Sequence, residues 1–250
     1  MKALITGASS GIGREMALYL SELGHDLVLV ARNRKRLEDL VKEIKTNAKI
    51  VIIDLSDEKR IKDLYMIVKN EDIDILINNA GFGLFGKHNE TDLIKELEMI
   101  DVNIKAVHIL TKMFLKDMQK RTNGYILNVA SAAGLLKGGP DLSTYYATKS
   151  YVASYSFAIY EELKRDKANI SISVLCPGPV STNFDTVAGV KFSAKSLDSK
   201  VVARYAIDQM FKKKLLIIPG TSTRISLFLS RFVPTKLLLK ITASFQRKKG

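Results

Sequence analysis

Two tyrosines and a lysine lie close together in the segment STYYATKS, which covers residues 143–150. A tyrosine that transfers a proton near neutral pH must depart from its ordinary pKa of about 10, and a nearby ammonium favours that change. Residues four apart share a helix face, so Tyr145 and Lys149 can point into one site. Tyr146 lies about 100° around the helix from Tyr145, but it is three residues before the lysine, and spacing alone leaves it as the alternative. The segment predicts Tyr145 as a general acid or base that Lys149 assists.

The elements that position this segment follow from seven short apolar runs that alternate with segments of helical spacing. Such alternation is typical of βαβ units around a buried parallel sheet, and it predicts a single α/β domain with a doubly wound seven-stranded sheet. Ligands of such sheets bind beyond the carboxyl ends of the strands. A helix is predicted from about Ser143 to Lys164, with Ser143 or Thr144 as its N-cap. The seven runs are KALIT, DLVLV, KIVIID, DILIN, GYILNVA, ISISVL and KLLIIP.

The first strand is followed by TGASSGIG, residues 6–13, and by an amphipathic pattern from about Ile12 to Leu23. Glycines at positions 7, 11 and 13 allow a tight turn and a close approach of the backbone to a pyrophosphate, and the helix N-terminus offers free N–H groups. The spacing differs from the usual G-x-G-x-x-G fingerprint, and a structural turn without a ligand is the alternative. The order of strand, glycines and helix favours a phosphate-binding loop.

The second strand ends at Ala31 and Arg32, where a site that selects NAD usually has an acidic residue. A guanidinium here suits a ribose 2′-phosphate and predicts NADP(H) over NAD(H). The alternative is that Arg32 only begins a solvated basic helix. Asp54, after the third strand, could accept a hydrogen bond from an adenine amino group, and the amides and glycines of residues 78–83 follow the fourth strand.

The predicted role of the tyrosine requires a large change in its pKa. Lowering a tyrosine pKa by ~3 units requires about 4 kcal/mol. A desolvated cleft with a cationic nicotinamide ring would help to supply this free energy.

Composition and charge narrow the function classes. The chain of 250 residues is 46% hydrophobic and 26% charged, as in ordinary soluble domains. Its net charge of +13 is concentrated in residues 209–250, which hold ten basic and no acidic side chains, whereas the other 208 residues hold 29 basic and 26 acidic ones. The sheet domain is therefore nearly neutral, which argues against nucleic-acid binding.

Cysteine and histidine usage predicts neither a disulfide nor a metal site. Cys176 is the only cysteine, and the three histidines are scattered along the sequence. The N-terminus shows no signal-peptide pattern, and no run of 18 apolar residues is present. The expected location is the cytoplasm.

The basic C-terminal segment, residues 221–250, forms an amphipathic extension of the predicted domain of residues 1–220. Three alternatives remain open for it: packing on its own domain or closing the substrate cleft, peripheral contact with an anionic membrane, and contact with another subunit. Its apolar residues form one helical stripe before Pro234 and a second stripe after it, with Lys236 and Lys240 opposite the second. The first stripe is Ile225, Phe228, Leu229 and Phe232, and the second is Leu238, Ile241 and Phe245.

Two segments are expected to define the substrate site. Residues 181–200 have mixed polarity and weak periodicity, as a mobile lid would, and residues 135–144 form a loop before the tyrosines. A medium-sized apolar carbonyl substrate is indicated by Leu135, Leu142, Phe184 and Val187, although the same side chains could simply pack the lid.

The ordered motifs TGASSGIG, NNAG, DVNIKA, NVASAAG, YYATK and PGPVST resemble the short-chain dehydrogenase/reductase family in its form of about 250 residues. The match covers at least residues 3–182. The sequences NNAGFGLFG, ASAAG and CPGPV are most similar to the corresponding motifs of bacterial and archaeal ketone, aldehyde and ketoacyl reductases. The resemblance implies a Rossmann-type fold, a homo-oligomer and an NADP(H)-dependent reaction between a carbonyl and an alcohol.

The resemblance also implies residue roles. Tyr145 would be general acid in reduction and general base in oxidation, Ser131 would hold the substrate oxygen, Lys149 would bind the nicotinamide ribose and lower the tyrosine pKa, and Asn103 would hold a water that links the lysine to solvent. The residues implied in cofactor binding are Gly7, Ser10, Gly11, Ile12, Gly13, Arg32, Asp54, Leu55, Asn79, Ala80, Gly81, Tyr145, Lys149, Pro177, Gly178 and Thr182.

The sequence departs from the family pattern in one interval. Ser131 lies 14 residues before Tyr145, where family members often have 13, so the loop LLKGGPDLS carries an extra residue. We expect this to reshape the substrate pocket while the catalytic set is retained. A regulatory or scaffold protein that binds the nicotinamide cofactor without turnover is the alternative function.

Overall fold

A computed structural model describes residues 1–182 and 196–246 of the chain. Strands and helices alternate along most of it, as the apolar runs predict. The strands are β1 Lys2–Thr6, β2 Asp26–Ala31, β3 Ala48–Ile52, β4 Ile75–Asn78, β5 Gly124–Val129, β6 Ile170–Leu175, β7 Val180–Ser181, β8 Leu197–Asp198 and β9 Leu216–Ile217. The α-helices are α1 Gly11–Glu22, α2 Arg34–Val41, α3 Glu58–Val68, α4 Leu93–Ile100, α5 Val107–Arg121, α6 Ser143–Arg165, α7 Ser199–Phe211, α8 Thr221–Ser230 and α9 Thr235–Gln246.

Seven of these strands form one parallel sheet in the order β3-β2-β1-β4-β5-β6-β9. The interior strands are buried on both faces because helices pack against each side, and two apolar clusters, one around Met16 and Leu20 and one around Leu64 and Phe114, cover them. The strand order reverses between β1 and β4, where a crevice opens at the carboxyl edge. The predicted doubly wound, seven-stranded α/β fold is confirmed.

The helix that carries the two tyrosines begins differently from the prediction. Leu142 is its N-cap, in a conformation that offers no side-chain cap, and Ser143 lies inside the first turn. The predicted cap at Ser143 or Thr144 is therefore wrong. The first turn is held by its own backbone, since the amide of Tyr146 donates to the carbonyl of Leu142 at 3.0 Å.

A π-helical stretch, Asp101–Ala106, joins α4 to α5. Wider helical turns of this kind are rare and redirect individual side chains, often at functional sites. Here the stretch directs Asn103 into the interior, where the side chain is fully buried.

The C-terminal segment forms two helices that Pro234 separates, as predicted. Both pack on their own domain: Leu227 of α8 is buried, and so are Leu238, Thr242 and Gln246 of α9. Of the three alternatives, packing on the domain is what the structure shows. The predicted first stripe does not make this contact, because Leu227 points inward while Phe228 and its stripe neighbours are exposed.

The predicted lid lies largely outside the described residues. Only residues 181–182 and 196–200 of it are described, where β7 and β8 form a short parallel pair. Phe184 and Val187 lie outside the described residues.

Candidate active site

A cavity of about 810 Å³ runs along the carboxyl edge of the sheet, from the loop after β1 to the start of α6. Most wall residues lie at or just beyond the carboxyl end of a strand or in the first turns of a helix, because parallel strands end at the same edge. Two predicted site residues, Gly13 and Asn103, lie behind the wall. The predicted residues that line the cavity are Gly7, Ser10, Gly11, Ile12, Arg32, Asp54, Leu55, Asn79, Ala80, Gly81, Ser131, Tyr145, Lys149, Pro177, Gly178 and Thr182.

The loop after β1 has the shape of an anion-binding turn. Gly7 has φ +66° and Gly11 has φ +55°, conformations that side chains rarely adopt, and a Cβ at Gly7 would lie 2.9 Å from the Cα of Ala80. Ser10 caps α1 without a side-chain hydrogen bond, and the first turn has no acidic residue. The N–H groups of this turn therefore remain for a ligand, and the loop fits a pyrophosphate.

Gly13 does not line the cavity but packs against the side chain of Asn79 behind the wall. A Cβ there would lie 2.4 Å from Nδ2 of Asn79, an amide that donates to the carbonyls of Thr6 at 3.0 Å and Gly7 at 3.2 Å. Close packing of α1 on these bonds fixes the shape of the loop. Asn79 thus lines the cavity and also stabilises the loop through these hydrogen bonds.

The end of the cavity next to β2 carries opposite charges. The Arg32 guanidinium lies 3.5 Å from Asp54 and 3.3 Å from Glu98 of α4, and its side chain is 64% exposed. Burial opposes ionisation of Asp54, but hydrogen bonds from Ser56 and the charge of Arg32 outweigh it, so the pKa of this carboxyl is lowered. Arg36, on the first turns of α2, also lines the cavity. Two guanidinium groups therefore border the place where a ribose would lie.

The other end of the cavity brings together the predicted catalytic side chains. Ser131 follows β5, and its hydroxyl accepts from the amide of Ala133 at 3.2 Å and is hydrogen-bonded to the phenol of Tyr145. The ammonium of Lys149 lies 5.9 Å from the ring centre of Tyr145 and donates to the carbonyl of Val129 at 3.0 Å. The extra residue in the loop between Ser131 and Tyr145 thus leaves their contact in place.

The protein environment shifts both titratable groups towards their neutral forms. Burial raises the pKa of Tyr145 to about 12, although the hydrogen bond from Ser131 opposes this. Burial lowers the pKa of Lys149 from 10.5 to about 8. Lys149 is not among the groups that shift the pKa of Tyr145 in this structure, so the lowering of that pKa by the lysine beside a cationic nicotinamide ring stays a prediction.

Tyr146 has a different set of neighbours. Its hydroxyl accepts a hydrogen bond from Nε2 of Gln246 at 2.7 Å, and a Cβ at Gly139 would lie 2.2 Å from its ring. The two tyrosine rings meet edge to face, with centres 6.4 Å apart. Tyr146 therefore belongs to the end wall of the cavity, while Tyr145 meets the serine and the lysine.

Asn103 lies behind the backbone of Gly81. Its amide nitrogen donates to the carbonyl of Phe82 at 2.9 Å and to Thr148 at 3.1 Å, and its oxygen accepts from the amide of Phe82 at 3.1 Å. A Cβ at Gly81 would lie 2.8 Å from the oxygen of Asn103 and 3.2 Å from the nitrogen of Lys149. Only a glycine here lets the backbone pass between the amide and the ammonium.

Several residues in or next to the cavity wall were not predicted from the sequence. Glu98 and Gln246 are 66 and 100 residues away from the partners they contact, and no local pattern announces such pairs. Arg36 lies four residues after Arg32, and its position on the first turns of a helix was the available signal. Phe82 and Leu136 complete the apolar part of the wall.

No cluster of three or more histidine, cysteine, aspartate or glutamate side chains that could hold a metal ion occurs within residues 1–182 and 196–246. Over the same residues, no helix is long and apolar enough to cross a membrane.

Comparison with known proteins places the chain in a family. The family model of short chain dehydrogenases matches residues 1–189. An uncharacterized short-chain type dehydrogenase/reductase of Sinorhizobium fredii is 39% identical over 199 residues, which cover 77% of this chain and 75% of that protein. A very-long-chain 3-oxoacyl-CoA reductase of Mycosarcoma maydis is 33% identical over 183 residues, 68% of this chain and 51% of that protein.

Solved structures show the same fold. A short-chain dehydrogenase from Sphingobium yanoikuyae in complex with NADPH superposes with a TM-score of 0.83 at 26% identity, covering 92% of this chain and 93% of that chain. A short chain dehydrogenase/reductase from Burkholderia phymatum in complex with NAD gives the same TM-score at 24% identity, covering 91% of this chain and 92% of that chain. With its fold, its glycine loop and its Ser131, Tyr145 and Lys149 in one cavity, the chain belongs to the short-chain dehydrogenase/reductase family of oxidoreductases.

Proposed function

We propose that the protein interconverts a ketone or aldehyde and the corresponding alcohol with NADP(H) as cofactor. The observation that carries the proposal is the hydrogen bond between Ser131 and Tyr145 beside Lys149, in the same cavity as the loop of Gly7 and Gly11. The bound nicotinamide would supply the hydride in reduction and accept it in oxidation. The protein must then hold the carbonyl oxygen and transfer one proton.

Tyr145 is the proposed proton donor. A phenol whose pKa is raised to about 12 is fully protonated at neutral pH, which is the form that a general acid needs. Ser131 would donate a second hydrogen bond to the same oxygen, where negative charge develops. Tyr145 is therefore in the form that reduction needs, and oxidation would need stabilisation of the phenolate by Lys149.

Lys149 and Asn103 are proposed as the support of this pair. The lysine ammonium points into the cavity between the Tyr145 ring and the backbone of Gly81, where it could bind the hydroxyls of the nicotinamide ribose. Asn103 holds the Phe82 backbone beside it and is proposed to hold a water that connects the lysine to solvent.

The proposed preference for the phosphorylated cofactor rests on Arg32 and Arg36. Both guanidinium groups border the cavity next to Asp54 and Leu55, where the adenosine would bind. Paired guanidinium contacts to a phosphate are charge-assisted and strong. Glu98 opposes them, because its carboxylate lies 3.3 Å from Arg32 and would repel a 2′-phosphate.

The proposed substrate is an apolar carbonyl compound. The end wall of the cavity is formed by Phe82, Leu136, Leu142 and Tyr146, with Gln246 as its polar member. The reductase from Mycosarcoma maydis acts on a very-long-chain 3-oxoacyl thioester, which is consistent with an apolar wall. We further propose that the protein acts in the cytoplasm. We also propose that it forms a homo-oligomer, since Leu93, Ile94 and Leu97 of α4 are more than half exposed.

Titration of the purified protein with NADPH and with NADH, followed by nicotinamide fluorescence, tests the cofactor assignment. We expect tighter binding of NADPH. Arg32→Ala should weaken NADPH binding about 10- to 100-fold and leave NADH binding unchanged, because hydrogen bonds to charged groups contribute about 1.5–3 kcal/mol. Glu98→Gln is the matched variant, and it should strengthen NADPH binding up to about fivefold.

Turnover with a panel of apolar ketones and 3-oxoacyl thioesters tests the reaction class. Equal affinity for the two cofactors, unaffected by Arg32→Ala, would contradict the proposed preference. Cofactor binding without turnover of any of these substrates would favour the regulatory or scaffold alternative.

A further inference from the structure

Each of the two C-terminal helices carries large apolar side chains that are exposed, in addition to those that pack on the domain. We name these exposed side chains together the C-terminal apolar face. Each of its side chains is between 39% and 73% exposed, an unusual concentration of large apolar groups in contact with water. Its members are Ile225, Phe228, Leu229, Phe232, Leu237, Ile241 and Phe245.

The rows of α9 show that this face is additional to the one that packs on the domain. Leu238, Thr242 and Gln246, spaced four apart, form the inner row, which is buried. The row one position earlier, Leu237, Ile241 and Phe245, lies about 100° around the helix and is exposed. Since the inner row already packs the helix on the domain, the outer apolar row does not contribute to this packing.

In α8 the arrangement is similar. Leu227 provides the contact with the domain, and the rings of Phe228 and Phe232 pack edge to face on the outside, with centres 5.4 Å apart. This aromatic pair is one of the most exposed apolar features of the described residues, since Phe232 is 73% exposed. Exposed phenylalanines beside cations are typical of helices that lie in a membrane interface.

The charged side chains of these two helices are all positive. Residues 221–246 contain four basic and no acidic side chains, and the sequence continues with Arg-Lys-Lys-Gly. Arg231, Lys236 and Lys240 are exposed, and none of them forms an ion pair with a carboxylate in the described parts of the chain. The lysines begin the row next to Leu237 and Ile241, so cations flank the apolar row on its solvent side.

This combination distinguishes between the surfaces that could cover the face. In a two-fold contact with a second copy the same patch meets itself, so the unpaired cations of both copies would be brought together. An anionic bilayer instead offers an apolar interior for the phenylalanines and phosphates for the cations, whose long stems let the charge reach the headgroups. We propose that the C-terminal apolar face docks on the surface of an anionic lipid bilayer, with Arg231, Lys236 and Lys240 at the headgroups.

The docked orientation would bring the cavity near the bilayer. The inner row of α9 ends at Gln246, which lines the cavity, and Lys137 of the loop after Ser131 donates to Thr235 at the start of the same helix. One helix therefore borders the cavity on one side and carries the docking face on the other.

Co-sedimentation of the full-length protein with vesicles tests the proposal. Vesicles of phosphatidylcholine alone are compared with vesicles that also contain phosphatidylglycerol, at low and at high salt. We expect binding to the anionic vesicles only. The triple variant Arg231→Gln, Lys236→Gln, Lys240→Gln should bind roughly 100-fold more weakly, about fivefold for each charge, and high salt should have a similar effect.

The double variant Phe228→Ser, Phe232→Ser should also lose binding, because it removes the aromatic anchor while keeping every charge. Matched controls lie on or directly after other helices: Lys59→Gln, Lys69→Gln, Lys112→Gln for charge, and Met66→Ser, Ile67→Ser for exposed apolar groups. These should bind as the unaltered protein does.

Two outcomes would overturn the proposal. In the first, the unaltered protein fails to sediment with anionic vesicles, or the controls lose binding as much as the C-terminal variants do. In the second, the protein does not bind vesicles and Phe228→Ser, Phe232→Ser lowers its molecular mass in light scattering, which would make the face a subunit contact. Both readouts are independent of enzymatic turnover, so they do not depend on the proposed reaction.

Discussion

Lys149, the proposed support of Tyr145, carries its charge in a position that opposes folding. Its ammonium is almost fully buried, and within the described residues its one hydrogen bond goes to the carbonyl of Val129. The shift of its pKa from 10.5 to about 8 expresses the cost of removing that charge from water. Such a cost is typical of residues that are kept for chemistry rather than for stability.

Lys149→Met should therefore abolish turnover and raise the free energy of unfolding by about 1–3 kcal/mol at pH 7, after the lost hydrogen bond is taken into account. Between pH 8 and pH 10.5 the unfolded chain binds a proton at this lysine that the folded protein has released, so the stability of the unaltered protein rises with pH there.

The gain in Lys149→Met should accordingly be full below pH 8 and disappear towards pH 10.5. Urea unfolding across this range measures it. Lys112→Met, at an exposed site of α5, is the control and should show no such pH dependence. A destabilised Lys149→Met at pH 7 would show that the ammonium is stabilised by its surroundings and would contradict this account.

At the scale of elements, the loop between Ser131 and α6 sets the shape of the substrate end. In this loop Gly139 lies against the Tyr146 ring and Asp141 adopts φ +60°. The ring of Tyr146 is in turn held by Gln246 of α9. Loop, helix α6 and helix α9 therefore meet at one wall of the cavity.

Gly139→Ala should disturb this wall, because its Cβ would lie 2.2 Å from the Tyr146 ring. We expect a loss of about 1–3 kcal/mol in the free energy of unfolding and a higher KM for the carbonyl substrate, with NADPH affinity unchanged. Steady-state kinetics and thermal unfolding measure both.

Gly24→Ala is the matched control for that substitution. It places a Cβ in open space at φ +82°, far from the cavity, so it should cost stability through backbone strain without changing KM. An unchanged KM in Gly139→Ala would mean that this wall does not contact the substrate.

The sequence predicted the parts of the structure that depend on local spacing. The seven strands of a doubly wound sheet, the glycine loop after β1 and the shared face of Tyr145 and Lys149 all follow from patterns within one or two elements. The contacts of Arg32 with Glu98 and of Tyr146 with Gln246 join distant elements, and they depend on how helices dock. The rise of the Tyr145 pKa was missed for a related reason, since burial is a property of the assembled cavity.

The C-terminal stripes show the same limit. Periodicity identified α8 and α9 as amphipathic, but it cannot say which apolar row meets the domain. In α8, Leu227 packs on the domain, whereas Phe228 and the other residues of its stripe are exposed to solvent.

In the whole molecule, the glycine loop that fits a pyrophosphate lies at one end of the sheet edge, and Tyr145, the proposed proton donor, lies at the other end. The cavity is continuous between Gly7 and Tyr145, so a bound dinucleotide could present its nicotinamide to the carbonyl held by Ser131. The proposed sites of chemistry, cofactor preference and substrate choice are thus separated along one edge. The central claim is that Tyr145, and not Tyr146, delivers the proton.

The most direct test is the steady-state reduction of an apolar ketone by NADPH, compared in Tyr145→Phe and Tyr146→Phe. The first variant should lower kcat/KM by about 10²- to 10⁴-fold, because it removes the proton donor. The second should retain kcat and raise KM at most, since its hydroxyl bonds to Gln246 in the wall. Full activity of Tyr145→Phe, or a loss of kcat confined to Tyr146→Phe, would contradict the account.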